Sequence, residues 1–565
     1  MPSFFQRTED VPTPPQVYNR RIYLASSIAA FSAAMIGYDC GFIGGSISLE
    51  SFKTEFALDA IPPSQADLIT ANIVSLFDIG CVLGCFLCYP IGQLWGRRTG
   101  LIVAAYVFLV GAAMTMFASR ERGLQPLYLG RLISGLGVGA ASNLTPIYIA
   151  EVAPSAIRGQ LIGLYEIAWR LGDLTGFWIN FFIVSTIPTS NKQWLIAFGV
   201  QLIPGAIFAF GSVFLQESPR WLMGNGQAKK GIETLVYLRN LDVDDAYLRA
   251  EVDRIEAAHE ETQRKIGTGF WAPFREIASS RRLILRIMLS TSLFMWQNGA
   301  GINAINYYSP RIFQSLGVEG ERAPLLTTGI FGVVKTICTV VWTIALIEYT
   351  GRRTLLLFGS VTSAICMYYI GFYVKIANPM AHQDPSGGGH IDGAGKSAIA
   401  MFYVWTMFYT VSWSGTPWVI NSEIFDNSVR TLVQCFNSGS NWFWAYVMTR
   451  FTPMLISNLG YGIYFLFATV MVFSFPYVYY IIPETKGISL EYIEMLFDKN
   501  VRARDAHAVT LAAIRERTLA AEVGVASAYT SMPPYTDEDV PAGPYSDNPL
   551  EALPSASSAS SALLK

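Results

Sequence analysis

Charge is scarce in this 565-residue sequence: Asp, Glu, Lys and Arg make up 15% of it, against about 25% in a typical soluble domain. The formal net charge at pH 7 is −2, so the sequence lacks the basic excess that nucleic-acid binding requires. Apolar residues make up 52% of the chain, and the mean hydropathy is positive. This composition indicates a protein that is embedded in membrane lipid and has no nucleic-acid partner.

Cysteine and histidine are also few, and their positions argue against several kinds of site. The seven cysteines are odd in number and lie in apolar stretches, which favours buried free thiols over a disulfide framework. All four histidines lie outside the apolar runs, which argues against a metal site or a histidine proton relay within the membrane. No phosphate-binding loop or nucleophile–base pattern is present in the sequence. We therefore expect no enzymatic activity, no metal and no cofactor.

What the sequence has instead is a series of long apolar segments separated by charged residues. A helix of about 20 apolar residues is long enough to cross the hydrocarbon core of a bilayer. Several segments contain Gly, Pro or polar residues, which is typical of helices that line a cavity. The sequence predicts twelve transmembrane helices, at about 22–47, 67–92, 99–119, 126–149, 158–186, 194–215, 284–309, 323–347, 354–375, 397–422, 431–449 and 455–482.

Basic residues, among them Arg97, Arg158 and Arg352, fall in alternate loops between these segments. Such loops face the cytoplasm, and an even number of spans then places both termini there. The sequence predicts five regions: a cytoplasmic N-terminal segment (1–21), a six-helix bundle (22–217), a cytoplasmic linker with short helices (218–283), a second six-helix bundle (284–483) and a cytoplasmic, largely disordered tail (484–565).

The two predicted bundles repeat the same short motifs in the same order. These are GRR at 96–98 and 351–353, a Glu–Arg pair seven residues apart at 151/158 and 423/430, and ESPR at 217–220 against ETKG at 484–487. We infer that the bundles are parallel repeats, with a substrate site between them near the middle of the membrane.

Longer motifs show which family the sequence resembles. They are GRLISGLGVGAASNLTPIYIAEVAPSAIRG (130–159), ESPRWL (217–222), GINAINYYSP (301–310), PWVINSEIF (417–425) and PETKG (483–487). With them, the chain resembles the sugar-porter family of the major facilitator superfamily over about residues 20–500. Two stretches, VYNRRIYLASSIAAFSAAMIGYD (17–39) and WQNGAGINAINYYSP (296–310), are similar to fungal quinate permeases in particular. The resemblance implies an all-α membrane protein with twelve transmembrane helices in two pseudo-symmetric six-helix bundles.

The resemblance implies an ion-pair latch at the cytoplasmic helix ends, which joins the two halves in the outward-facing state. The alternative is that its arginines only reflect the preference for basic residues on the cytoplasmic side. Gln93 departs from the family, which has Asp there, and this weakens the N-terminal side of the latch. The residues that match the latch are Arg97, Glu151, Arg158, Glu217, Glu348, Arg352, Glu423, Arg430 and Glu484.

The resemblance also implies a set of substrate contacts on the cavity wall. An uncharged polyol needs hydrogen-bonding groups there, with aromatic rings against its C–H faces. The alternative is that the amides join helices, as Asn and Gln do in lipid. Asn298 departs from the family, which has the longer Gln. The matching residues are Gln297, Asn298 and Asn303 in the seventh span, Trp418 in the tenth, and Asn441 and Trp442 in the eleventh.

Charged residues within the fifth and eighth spans are open to two interpretations. Glu166 stands where the family has a sugar-binding Gln, and it shares one helical face with Arg170 and Asp173. The three could form an ion-pair ladder that cancels its own charge, or Glu166 could accept substrate hydroxyls or a proton. Lys335 in the eighth span could neutralise Asp78 or another buried acid, or could meet a substrate carboxylate.

Asp39 is an acid within the first span, where a charge costs roughly 2.5–3.5 kcal/mol on insertion scales. Proton symporters of the family carry this Asp in a GYD motif, together with an Arg in the fourth span, which is Arg131 here. The resemblance therefore implies coupling to a proton through this pair. Asp78, Glu166 and Asp173 could also titrate, so the stoichiometry stays open.

The expected function is proton-coupled symport of a polyhydroxylated substrate into the cell, with quinate or a related sugar acid favoured. The alternatives are a hexose or pentose transporter, proton-coupled or facilitative, and a non-transporting nutrient sensor. We expect a monomer in the plasma membrane, with a small polyol, sugar or sugar acid as its ligand and the proton as its coupling ion.

Overall fold

A computed structural model describes residues 13–530, apart from 268, 319, 321, 347–349, 380–392, 426, 487, 489–494 and 498–501. Side chains are described as far as residue 516. The chain divides into two compact units, residues 1–508 and 509–565. The helices that position the site belong to the first unit.

The N-terminal half begins at Arg20, because the side chain of Asn19 accepts hydrogen bonds from the backbone N–H groups of Arg21 and Ile22. α7 and α8 together form one apolar span, Lys192–Val213. The helices of this half are α1 (Arg20–Ser48), α2 (Glu50–Glu55), α3 (Pro63–Leu94), α4 (Arg97–Thr115), α5 (Gln125–Val152), α6 (Arg158–Thr186), α7 (Lys192–Val200) and α8 (Leu202–Val213).

Four short helices follow as the linker: α9 (Pro219–Gly224), α10 (Ala228–Arg239), α11 (Ala246–Ile266) and α12 (Ala272–Ser279). The first three share a small apolar cluster that includes Leu235 and Leu248. Arg239 fastens them to the N-terminal half, since it donates to the Val152 carbonyl oxygen at 2.8 Å and pairs with Glu251 at 2.6 Å. Burial alone would raise the pKa of Glu251, but the Arg239 guanidinium outweighs burial, and the pKa lies below its ordinary value.

The C-terminal half contains two π-helical segments, Trp342–Leu346 and Thr410–Ser414, which follow α15 and α17. Its α-helices are α13 (Arg281–Gly299), α14 (Ile302–Ser315), α15 (Arg322–Val341), α16 (Arg352–Ala377), α17 (Gly393–Tyr409), α18 (Thr416–Glu423), α19 (Asn427–Leu459) and α20 (Gly462–Ile481). A last helix, α21 (Ala503–Thr530), follows, and the second unit begins within it.

Within the described residues, eight helices are long and apolar enough to cross a membrane, by length and composition. The other four predicted spans are α6, the α13–α14 pair, α17 with α18, and α19. These four carry charged or polar residues or are interrupted, and each of them lines the cavity described below. Such residues and interruptions are typical of helices that line a cavity.

α1 and α6 lie in close contact because glycines face the neighbouring backbone. An added Cβ on Gly41 would lie 2.4 Å from the carbonyl oxygen of Asp173, and one on Gly172 would lie 2.2 Å from that of Ala34. Only glycine permits this approach. The contact places the charged face of α6 beside the first span.

The seventh span is broken at Gly301, between α13 and α14. Gly301 has a φ of 92°, and an added Cβ would lie 2.5 Å from the ring of Phe467, so only glycine fits this position. The break lets the amides on either side of it meet: Asn303 Nδ2 donates to Asn298 Oδ1.

Candidate functional site

A cavity of about 1680 Å³ lies between the two halves. Its wall combines residues of α6, such as Glu166 and Arg170, with residues of α13 and α19, such as Gln297 and Asn441. In one direction the cavity reaches Arg158 and the linker helices α11 and α12. We call this end of the molecule the linker end.

At the opposite end the two halves contact each other directly. Asp67 lies near the start of α3, whose last residues are at the linker end. Its carboxylate accepts a hydrogen bond from Arg311 Nη1 of α14 at 2.6 Å and another from Ser457 of α19. The sequence patterns did not identify Asp67 or Arg311. The signal that could have identified them is an acid at the start of the second predicted span and a base just after the end of the seventh. These contacts close the cavity away from the linker end.

The predicted amides lie together in the cavity wall, and three of them, Asn298, Asn303 and Asn441, are joined by hydrogen bonds. Gln297 Nε2 donates to the carbonyl oxygens of Trp413 and Ser414, at 2.9 and 2.7 Å. Asn298 Nδ2 donates to Asn441 Oδ1 at 3.2 Å and, as noted above, Asn298 Oδ1 accepts from Asn303. The structure thus brings together all four predicted amides of the C-terminal half.

The two predicted tryptophans line the same cavity. The Trp418 ring lies 4.6 Å from that of Phe294, centroid to centroid. Trp442 stacks on Trp169 of α6 across the halves, with centroids 6.4 Å apart, and its Nε1 donates to Ser142 Oγ at 3.3 Å. Trp442 therefore connects the C-terminal half to the N-terminal half at the cavity wall.

Lys335 pairs with an acid of the other half. Its Nζ lies 2.6 Å from Asp173 Oδ2 and donates to Asn306 Oδ1 at 2.9 Å, and its side chain is 3% exposed. Asp78 has a different partner: its Oδ2 accepts from Thr449 at 2.6 Å. Of the two interpretations of Lys335, this geometry favours neutralisation of a buried acid.

The charged face of α6 meets the cavity at Arg170. Its guanidinium lies 3.7 Å from Asp173 and 4.0 Å from Glu166, which are longer than the 2.7–2.9 Å typical of a charge-assisted hydrogen bond. Arg170 Nη2 also donates to Ser414 Oγ of the C-terminal half, at 3.1 Å. Glu166, Arg170 and Asp173 share one face as the sequence predicts, but they are loosely paired.

Asp39 and Arg131 form a buried ion pair between α1 and α5. Both side chains are almost completely buried, and Arg131 Nε also donates to the Ile73 carbonyl oxygen at 3.2 Å. The guanidinium carbon lies 4.1 Å from the centre of the Phe77 ring. Such burial is tolerable only because each charge has its partner. The pair lies behind the cavity wall, which Cys40 lines at this point.

At the linker end, the described residues of each half include an Arg–Glu ion pair. Arg97 Nη2 lies 3.1 Å from Glu151 in the N-terminal half, and Arg352 Nη2 lies 2.9 Å from Glu423 in the C-terminal half. Each of these ion pairs therefore joins two residues within one half and does not link the N-terminal half to the C-terminal half.

Glu217 and Glu484 cap helices. Glu217 accepts hydrogen bonds from the backbone N–H groups of Arg97 and Arg98, at 2.8 and 3.1 Å, and so caps α4. Glu484 caps α16 by accepting hydrogen bonds from the backbone N–H groups of the first two residues of that helix, at 2.8 and 3.0 Å. A carboxylate is favourable at a helix N-terminus. Burial nevertheless raises the pKa of Glu217, against the lowering effect of these backbone donors.

The remaining predicted latch residues are Arg158, Arg430 and Glu348. Arg158 and Arg430 line the cavity on opposite sides of the linker end. Arg430 Nη2 donates to the Phe425 carbonyl oxygen at 3.0 Å. Glu348 lies outside the described residues.

The wall as a whole offers hydrogen-bonding amides, aromatic faces and charges of both signs. This set suits a polar ligand with hydroxyl groups and tolerates a charged one. Within the described part of the chain, no cluster of three or more His, Cys, Asp or Glu side chains is placed to hold a metal ion.

Known proteins match the chain along most of its length. The family model for sugar (and other) transporters matches residues 25–497. The quinate permease of Emericella nidulans is 49% identical over 514 residues, which cover 91% of this chain and 95% of that protein.

Solved structures of the proton:xylose symporter XylE share the fold. The one bound to 6-bromo-6-deoxy-D-glucose is 26% identical, with a TM-score of 0.68, and covers 85% of this chain and 99% of its own. The inward open XylE from E. coli is also 26% identical, with a TM-score of 0.66, and covers 84% of this chain and 100% of its own. The predicted all-α architecture, twelve helices in two six-helix halves, is confirmed.

Proposed function

This chain belongs to the sugar (and other) transporter family, and on that premise we propose that it is a proton-coupled symporter, which imports quinate or a related polyhydroxylated acid by alternating access. The observation that carries the proposal is the cavity between the halves, which is walled by amides, tryptophans and charges. Among the described residues it extends to the linker end, and Asp67 and Arg311 join the halves at the opposite end. A transporter that works by alternating access exposes its site to one side at a time.

We place the linker end in the cytoplasm, because the basic loops that contain Arg97, Arg158 and Arg352 lie there. Residues 1–21, the linker 218–283 and the tail 484–565 are then cytoplasmic. The two bundles, 22–217 and 284–483, cross the membrane, in this proposal the plasma membrane, and one chain is the functional unit. The conformation is inward-facing.

Substrate binding falls to the residues that meet at the cavity wall. Gln297, Asn298, Asn303 and Asn441 supply hydrogen bonds to hydroxyl groups, and Trp418 and Trp442 supply apolar faces for the ring. Lys335 lies beneath this surface and links the halves through Asp173. Its role here is to neutralise that acid.

Alternating access requires the contacts at the two ends to form in turn. In the inward-facing state Asp67, Arg311 and Ser457 join the halves at the extracellular end. In the outward-facing state these contacts open, and the cytoplasmic ends approach. Arg158 and Arg430, now on facing walls, then meet the acids of the opposite half and complete the latch.

Asp39 carries the coupled proton. Arg131 favours its carboxylate form, whereas burial favours the neutral acid. Protonation of Asp39 breaks the pair and leaves Arg131 to be solvated or re-paired, so the proton changes which helix positions are favourable. Movement of α1 against α5 then exposes Asp39 to each side in turn.

A second candidate is a proton-coupled or facilitative hexose or pentose transporter. The likeness to a xylose symporter whose solved form holds a glucose derivative favours it. The two candidates differ in the charge of the substrate.

Competition uptake distinguishes them. Cells that express the chain take up labelled quinate in the presence of excess unlabelled quinate, galacturonate, glucose or xylose. We expect quinate to compete most strongly and the neutral sugars least. Absence of quinate uptake in cells that do take up labelled glucose or xylose would replace the first candidate with the second.

A further inference from the structure

Arg170 is a cation at the cavity wall whose hydrogen-bonding capacity is not used up. Its side chain is 12% exposed, and its two acidic neighbours lie at 3.7 and 4.0 Å. Its Nε has no hydrogen-bond partner among the described residues. A guanidinium presents its donors as a planar fork that fits a carboxylate. Arg170 is therefore free to make better bonds to a ligand than it makes to Glu166.

Lys335, the other cation in this region, is already committed. It makes one ion pair at 2.6 Å and one amide hydrogen bond at 2.9 Å, and almost none of it is exposed. A ligand carboxylate would have to displace Asp173 from Lys335 at 2.6 Å, whereas at Arg170 it would compete only with the longer contacts to Asp173 and Glu166, at 3.7 and 4.0 Å.

An unused acceptor lies close to Arg170. Gln297 Nε2 donates to the carbonyl oxygens of Trp413 and Ser414, which fixes the orientation of the amide. Gln297 Oε1 then has no partner among the described residues, although the side chain is 6% exposed and lines the cavity. Ser414 connects the two groups, since its Oγ accepts from Arg170 and its carbonyl oxygen accepts from Gln297. The wall thus presents a cation beside a hydroxyl acceptor.

Charge balance sets a condition on this site. Glu166, Arg170, Asp173 and Lys335 carry formal charges that sum to zero. A monoanionic ligand adds one negative charge, which is costly in a site of low dielectric. One proton on Glu166 would restore neutrality and would also remove the competitor for Arg170.

We propose that Arg170 binds the carboxylate of a hydroxy acid while Gln297 Oε1 accepts its neighbouring hydroxyl, and that Glu166 takes up one proton from the cavity water as Arg170 turns to the ligand. This inference rests on the proposed function, since it specifies the acid that the cavity would carry. The proton returns to water when the ligand leaves and Arg170 pairs again with Glu166.

Other groups near this pair have defined partners or no charge. Cys40, Lys335 and Tyr409 line the cavity with it, whereas Asp39 and Arg131 are buried against each other. Lys192 of α7 is exposed at the first residue of that helix. Asp173 is slightly nearer to Arg170 than Glu166 is, but Lys335 already pairs with Asp173 at 2.6 Å. Glu166 is therefore the acid whose protonation would free Arg170.

The test compares quinate with its uncharged methyl ester, as ligands of the purified full chain, at acidic and at neutral pH. We expect the wild type to bind quinate more tightly than the ester, more so at acidic pH. Arg170→Gln should weaken quinate binding roughly tenfold or more, the loss expected for a charge-assisted hydrogen bond, and leave ester binding unchanged. Arg282→Gln, at an exposed arginine of α13, is the control and should change neither.

Glu166→Gln provides a second measurement that does not depend on the folding of the arginine variant. It should tighten quinate binding at neutral pH and reduce the pH dependence of quinate binding to that of ester binding, with no effect on the ester. Equal loss for both compounds in Arg170→Gln, or an unchanged pH dependence in Glu166→Gln, would overturn the inference while quinate transport stands. A wild type that binds neither compound would instead refute the proposed function, and the inference with it.

Discussion

At the linker end, the two halves of the molecule contain the same contacts: one Arg–Glu ion pair and one glutamate that caps a helix. Midway between the ends they differ. The N-terminal half contains the buried pair Asp39–Arg131 and the charged face of α6, whereas the C-terminal half supplies amides such as Gln297 and Asn441, together with Lys335. The repeat has been kept where helices are held in register and has diverged where the substrate and the proton would bind.

This difference assigns separate tasks to the halves. Contacts that stabilise helix ends are needed equally in both, so removal from either half should cost the same. The charged groups midway between the ends are not repeated at equivalent positions of the other half, so their removal should cost more than removal of a helix-end contact. The predictions below test this contrast, from the largest expected effect to the smallest.

The largest effect is expected at the buried pair. Arg131→Met leaves the Asp39 carboxylate buried without a partner, and removal of one member of such a pair costs roughly 3–5 kcal/mol. Thermal unfolding of the purified protein measures the loss. Asp39→Asn combined with Arg131→Met should recover most of it. If the Arg131→Met variant is as stable as the wild type, the Asp39 carboxylate is not a buried charge that depends on Arg131.

Lys335→Met should cost less, roughly 1–3 kcal/mol, because Arg170 lies 3.7 Å from Asp173 and can serve as a substitute cation. The same unfolding measurement applies. Addition of Asp173→Asn to Lys335→Met should restore stability. A loss as large as that of Arg131→Met would show that Arg170 gives no compensation.

The helix caps should behave alike in the two halves. Glu217→Ala and Glu484→Ala each remove the side-chain acceptor that caps a helix N-terminus, with a cost of about 1 kcal/mol. Unfolding of the two single variants under the same conditions compares them. If one variant loses several times more stability than the other, the halves are not equivalent at the linker end.

The smallest effect concerns pH. Burial raises the pKa of Glu217 in the folded protein above its ordinary value of 4.5, so the folded state binds this proton more tightly than the unfolded chain does. The stability contributed by this proton is fully present below pH 4.5 and is lost as the pH rises through the raised pKa. Relative to Glu217→Gln, the wild type should therefore lose stability over that window. A constant difference between the two would contradict the raised pKa.

Several features of the fold could be predicted because they leave periodic or spaced signals in the sequence. The lengths of the apolar segments predicted the spans, and the recurring GRR triplets predicted the repeat. The isolated Asp39 indicated a buried partner, and in the structure that partner is Arg131. The length of the apolar segments did not distinguish lipid-facing spans from cavity-lining ones, because both kinds of span need about 20 residues to cross a bilayer.

Other features could not be predicted because they depend on how distant helices are placed. The choice of Asp173 rather than Asp78 as the partner of Lys335 is fixed by the contact between α6 and α15. The Asp67–Arg311 contact joins residues 244 positions apart. The capping role of Glu217 depends on the path of the chain after α8, which no spacing rule specifies.

The most direct test of the central claim, proton-coupled import of a polyhydroxylated acid, is quinate accumulation in proteoliposomes with an imposed pH gradient, acidic outside. The wild type should concentrate labelled quinate against its gradient and lose this ability when a protonophore is added. Asp39→Asn should abolish accumulation but retain exchange of quinate across the membrane. Accumulation by Asp39→Asn equal to that of the wild type, or wild-type uptake indifferent to pH and to the protonophore, would contradict the account.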